Sequence, residues 1–239
     1  MIVRMGLLTR RPEIGSAEFR RHWRDVHGPL AARLPGLRRY HQNHVVDNRQ
    51  LAIDHARGSW SIDGISELWF DSVDDMNKAV ASEEYQAVAR DHHLFVGTTG
   101  LITAVQNVVV PVDVTAGPLV KRMSILTRKP GLTPEQFKDE WWGFHAEAVR
   151  KFPNLMGYTQ NLVVERSAGL GRPAAHEDLP IDGMVEMWFR SVADIETAFR
   201  SPAANVSQTH ALSFIAEITT FLVEAHEVVK ADPSQIPAA

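Results

Sequence analysis

The chain repeats itself, and this constrains its fold more than any other feature. Residues 5–46 align with residues 123–164 without a gap. The alignment matches Met5/Met123, Thr9/Thr127, Arg10/Arg128, Pro12/Pro130, Phe19/Phe137, Trp23/Trp141, His27/His145, Tyr40/Tyr158, Gln42/Gln160 and Asn43/Asn161. A second block aligns Asp63-Gly-Ile-Ser-Glu-Leu-Trp-Phe with Asp182-Gly-Met-Val-Glu-Met-Trp-Phe. Trp, His and Tyr keep the same spacing in both copies, which identifies a tandem duplication. Two domains are expected, residues 1–112 and 119–230. An extended linker bounded by Pro111 and Pro118 joins them, and a flexible tail covers 231–239.

Within copy one, residues 2–10 form an apolar, β-branched run that reads as a buried strand. Phe19, Trp23, Val26 and Leu30 then recur at helical spacing. Strands are expected near 37–46 and 62–71. A second helix capped at Ser72 carries Val73, Met76, Val80 and Val88, and a last β-rich run spans 101–110. In copy two, Thr133-Pro-Glu-Gln136 has the form of a helix-capping box, and Ser191 matches Ser72. The order β-α-β-β-α-β is the ferredoxin-like unit. Helices cover one face of its sheet, so the other face needs a partner, which a duplicated chain supplies from within. The expected fold is therefore α+β: two tandem ferredoxin-like βαββαβ units packed sheet-to-sheet as an intramolecular dimeric α/β barrel.

The 239 residues contain no Cys, which excludes disulfides, thiolate catalysis and cysteine-held metal centres. A net charge of −4 argues against nucleic-acid or anionic-membrane partners. No apolar run approaches the ~18 residues of a transmembrane helix. The N-terminal stretch lacks the pattern of a signal peptide, so a cytoplasmic location is expected. There is no His-Glu-x-x-His, glycine-rich phosphate loop or Gly-x-Ser-x-Gly elbow, and His22/His27 and His41/His44 do not share faces. No metal and no cofactor are expected.

His27 lies four residues after Trp23, at the edge of the apolar stripe, and Pro29 is expected to bend or end the helix there. An imidazole half-buried where helix meets sheet suits general acid/base work, although a capping or core histidine would recur as His145 equally well. Strand alternation puts Tyr40, Gln42 and His44 on one face and His41 with Asn43 on the other. Copy two keeps Tyr158 but loses both extra histidines. On the third strand Glu67 and Trp69 are expected to face the enclosed interior, as are Glu186 and Trp188. Arg4 and Arg122 share parity with Gly6 and Ser124 and are expected on the same interior face. The connections 47–61 and 165–181 are long enough for lids, while disorder or dimer packing would account for them equally.

Taken together, Pro12, Phe19-x-x-x-Trp23-x-x-x-His27-x-Pro29, Pro35-Gly36-Leu37, Tyr40-x-Gln42, Asp63-Gly64, Glu67-x-Trp69-Phe70 and Asp91-x-x-x-Phe95 resemble the EthD-like family of dimeric α/β-barrel proteins. The resemblance covers nearly all of copy one and most of copy two. It implies a ferredoxin-like barrel with its ligand site between the paired sheets. It places the family's histidine at His27 and His145, its tyrosine at Tyr40 and Tyr158, and its acidic position at Asp91. Copy two has His210 in the acidic position and lacks the proline after His145, which points to one site built mainly by copy one. The expected activity is that of a cofactor-independent isomerase or lyase acting on a small apolar oxygenated ring, such as a lactone or phenolic compound. His27, Tyr40 and His44 would be catalytic. Arg4, His41, Glu67, Trp69, Asp91, His145, Tyr158 and Trp188 would contact the substrate. A non-catalytic binder of a hydrophobic metabolite and an α/β-barrel oxygenase are the alternatives, and the fused chain is compatible with a further homodimer.

Overall fold

The computed structural model describes residues 1–113 and 115–230; the expected tail at 231–239 lies outside them. Copy one contributes β1 (Ile2–Arg10), β2 (Arg39–Asp47), β3 (Gly64–Phe70) and β4 (Val96–Val110). Copy two contributes β5 (Val120–Arg128), β6 (Gly157–Ala168), β8 (Gly183–Phe189) and β9 (Ile215–Val229), with a two-residue β7 (Arg172–Pro173) hooked onto β6. Each copy has the antiparallel ferredoxin-like order, β4-β1-β3-β2 and β9-β5-β8-β6. The sheets then join edge to edge, β2 with β9 and β4 with β6. Eight strands close into one barrel, so none of the eight keeps an open edge.

Val3, Met5 and Leu7 of β1 meet Met123 and Ile125 of β5, together with Trp69, Met184 and Phe221, inside the barrel. A closed eight-stranded barrel has room for little beyond its own side chains. The helices cover the outside of the barrel. In copy one they are α1 (Ser16–His22), a wide π-helical turn at Trp23–His27, and α2 (Gly28–Ala31). The chain stays helical through Pro29, which occupies the first turn of α2, where its missing N–H is harmless. The π turn has a cause: Gln42, fully buried on β2, donates from Nε2 to the Trp23 carbonyl at 2.7 Å. Gln160 does the same to Trp141 at 2.8 Å, beside a second π turn at Trp141–His145 between α5 (Pro134–Glu140) and α6 (Ala146–Val149).

The second helix is two helices, α3 (Val73–Val80) and α4 (Glu83–Phe95), because Ser82 caps a fresh start. Its hydroxyl accepts from the Tyr85 N–H and donates to the Ala79 carbonyl. Ser201 does likewise between α7 (Val192–Phe199) and α8 (Pro202–Phe214).

The two long connections cross over. The copy-one loop lays Leu51 into the copy-two core, and Gln50 and Ala56 hydrogen-bond to Ile218 on β9. The copy-two loop places Leu179 against Gly100, while Gly169 bonds to Thr99 and Leu170 accepts from the Tyr85 hydroxyl at 3.4 Å. Leu51 and Leu170 thus lie on the helix-facing side of the opposite copy, while Leu179 packs with the barrel-interior side chains. No helix among the described residues is long and apolar enough to cross a membrane.

Candidate active site

Each copy has a cavity between its helices and sheet beside its histidine. The copy-one cavity, with about 40 Å³ open to the centre of a water molecule, is lined by His27, Tyr40, Arg4, Tyr85, His92 and the apolar Leu34 and Leu68, with Leu170 from copy two over it. His27 is 6% exposed, and its Nδ1 lies 2.8 Å from Asp91 Oδ2. His22 Nε2 holds the other carboxylate oxygen at 2.9 Å. Burial opposes ionisation of Asp91, but hydrogen bonds from His27 and His22 outweigh it and hold the carboxyl below its usual range. An ionised carboxylate at Nδ1 fixes the proton there and leaves the lone pair on Nε2, which makes no hydrogen bond to the described protein.

Tyr40 is fully buried, and its oxygen accepts from Trp23 Nε1 and Gln42 Nε2, both at 3.1 Å. With two donors already on the oxygen, the hydroxyl proton remains to be donated into the cavity. Burial raises this phenol to about 12, so it stays protonated. His92 bonds Thr99 at 2.7 Å and is held neutral, lowered to about 3 chiefly by burial. Arg4 Nη2 donates to the Tyr85 hydroxyl at 3.1 Å.

Copy two keeps the outline with different chemistry. Glu140, His210 and His145 stand where His22, Asp91 and His27 stand in copy one. His210 lies 3.0 Å from Glu140 and 3.5 Å from His145. His145 is lowered to about 3 by burial and then by His210, so a neutral ring takes the place of the His–carboxylate pair. The cavity beside it, about 60 Å³ by the same measure, is lined by His145, Tyr158, Ser124, Phe199 and His55 of the crossing loop.

The other expected residues lie elsewhere. His44 packs on Trp23, ring centroids 4.6 Å apart, and is not in the wall of the cavity. Glu67, Trp69, His41 and Trp188 do face the barrel interior, but apolar side chains and one charge cluster fill that space around them. Arg4 and Arg122 do not face inward: Arg4 lies over Tyr85 and Arg122 over Phe199, both on the helix side. Strands buried on both faces lose apolar alternation, so parity pairs residues without naming the inner face.

At the barrel centre, Lys121 Nζ lies 2.8 Å from Glu67 and 2.7 Å from Glu186. Asn43 donates to Glu67 and Asn161 to Glu186, each at 2.8 Å. The carboxylates repeat, but the lysine does not: its counterpart in copy one is Val3. Burial and then Glu186 raise Glu67 to about 7, whereas Lys121 and Asn161 overcome burial and hold Glu186 below its usual range. Among the described residues no cluster of three or more His, Asp or Glu side chains could hold a metal ion.

Fold and cavities together define a fused dimeric α/β barrel whose two halves have diverged. The EthD domain pattern matches residues 11–99 and again 129–216, and the chain belongs to the EthD domain family. No curated protein matches it. Among solved structures, an anthrone oxidase-like protein superimposes with a TM-score of 0.64 at 12% identity, covering 98% of this chain and 96% of its own. A "putative monooxygenase" from Lactobacillus acidophilus NCFM gives 0.58 at 8% identity, covering 96% of each chain. Another protein so described, from Fusobacterium nucleatum, gives 0.60 at 6%, covering 96% and 94%. These likenesses show the shared fold.

Proposed function

We propose that the copy-one cavity is a cofactor-independent proton-transfer site of an isomerase or lyase acting on a small apolar oxygenated ring, such as a lactone or phenolic compound. The observation that carries this reading is His27, pinned at Nδ1 by Asp91 with its other nitrogen free at a cavity. His27 Nε2 removes a proton from carbon next to a carbonyl, and the Tyr40 hydroxyl donates to the oxygen that becomes an enolate. Returning the proton to another carbon gives isomerisation; loss of a β-hydroxyl as water gives dehydration. The apolar wall and Leu170 keep bulk water from the enolate. Asp91 is a positioning residue, and His145, Tyr158 and the barrel-interior residues take no part.

The test is NMR of a panel of lactones and phenolic ketones in D₂O with the full chain and no added cofactor. Deuterium should enter beside the carbonyl of at least one compound. With His27→Gln, incorporation should fall by about 10²–10⁴-fold. Incorporation unchanged by His27→Gln and His27→Ala would remove the base.

A further inference from the structure

Arg122 is 1% exposed, with Nε and Nη1 fully buried and without an acceptor. Only Nη2 is satisfied, donating to the Gln50 carbonyl at 2.9 Å and to Thr220 Oγ1 at 3.2 Å. No carboxylate of the described protein pairs with it. A buried guanidinium with unmade hydrogen bonds is costly, and a carboxylate matches its planar fork. The surroundings of Arg122 differ from those of Arg4 in the same direction. Tyr85, which accepts from Arg4, is replaced by Ala204, and His92 by Ala211, which opens space in copy two. Gly6 and Leu101 become Ser124 and Thr220, which are 3.1 Å apart and run from Arg122 to the cavity wall. Phe199, on whose ring the guanidinium lies at 4.0 Å, is part of the same wall. The crossing loop that covers this region holds Leu51 and Ala52 in successive left-handed conformations, φ 48° and 66°, which non-glycine residues rarely adopt.

We infer that the copy-two cavity is a second, separate binding site for a small apolar carboxylate, its hydrocarbon body among Phe199, Met187 and Leu126 and its acid group reaching past Ser124 and Phe199 to Arg122, which lies directly behind that wall. The site does not depend on His27 chemistry and stands whether or not copy one is catalytic.

Calorimetric titration of the full chain with benzoate and phenylacetate, against benzyl alcohol and 2-phenylethanol as neutral matches, tests it. One acid should bind per chain, and the alcohols should bind at least about tenfold more weakly. Arg122→Met, which removes a buried unpaired charge and keeps the volume, should weaken the acid by at least about tenfold. Ala204→Tyr, which restores the partner that Arg4 has, should weaken it with the arginine intact; His27→Gln should leave it unchanged. Thermal melts report whether each variant is folded. No saturable binding of either acid, equal binding of acid and alcohol, or binding lost with Arg4→Met but kept in both copy-two variants would overturn the assignment.

Discussion

His27 and Tyr40 owe their proposed roles to which of their atoms are already occupied. His27 has Asp91 on Nδ1, and Tyr40 has two donors on its oxygen, so each presents one defined function to the cavity. Asp91→Asn should keep the packing but permit the wrong imidazole tautomer. We expect kcat to fall by about 10²–10⁴-fold and the pH–rate profile to change shape, measured on whichever substrate exchanges deuterium. An intact profile would reduce Asp91 to packing. These residues were legible because both copies carry His and Tyr at one spacing, and the family resemblance added Asp91. Lys121, Tyr85 and His92 were not legible, because they stand where the copies differ and a repeat alignment passes over them. Nor does a one-dimensional pattern show that Lys121 reaches a glutamate from each half, or that His44 lies behind Trp23.

At the scale of elements, strand order followed from periodicity, whereas helix breaks and loop paths did not. The stop at Ser82 is visible once Ser82-Glu-Glu is taken as a capping sequence; continuous apolar spacing from Val73 to Val88 hides it. The π turns need Gln42 and Gln160, which sit on another element. Helix and sheet approach closely at Gly64, where an added Cβ would come within 2.2 Å of the Trp23 ring; Gly183 faces Trp141 the same way, at 2.5 Å. Gly64→Ala should therefore destabilise the fold by about 1–3 kcal/mol, read by denaturant unfolding. Adding Trp23→Phe should recover part of the loss. An unaffected single variant would mean that the helix can lift off the sheet freely.

Over the whole molecule, the duplication closes the barrel, exchanges the loops and sets two glutamates against one lysine. Glu67, raised on folding from an ordinary value of 4.5 to about 7, holds a proton that the unfolded chain has released between those values. Its stabilising contribution is therefore complete below the unfolded value and is lost as the pH rises through the folded one. Glu67→Gln keeps the neutral form, so its melting temperature relative to the unaltered chain should climb from pH 5 to pH 8. A constant difference across that range would show that Glu67 is ionised throughout. The barrel itself was legible because each copy leaves one sheet face bare; its edge-to-edge closure was not, because edge strands resemble inner ones in sequence. The lone lysine also has a historical consequence. Two copy-one halves would bring their glutamates together with no cation, and two copy-two halves would crowd a second lysine into the space of one. The lysine thus favours keeping the two unlike halves in one chain over separating them into self-paired proteins.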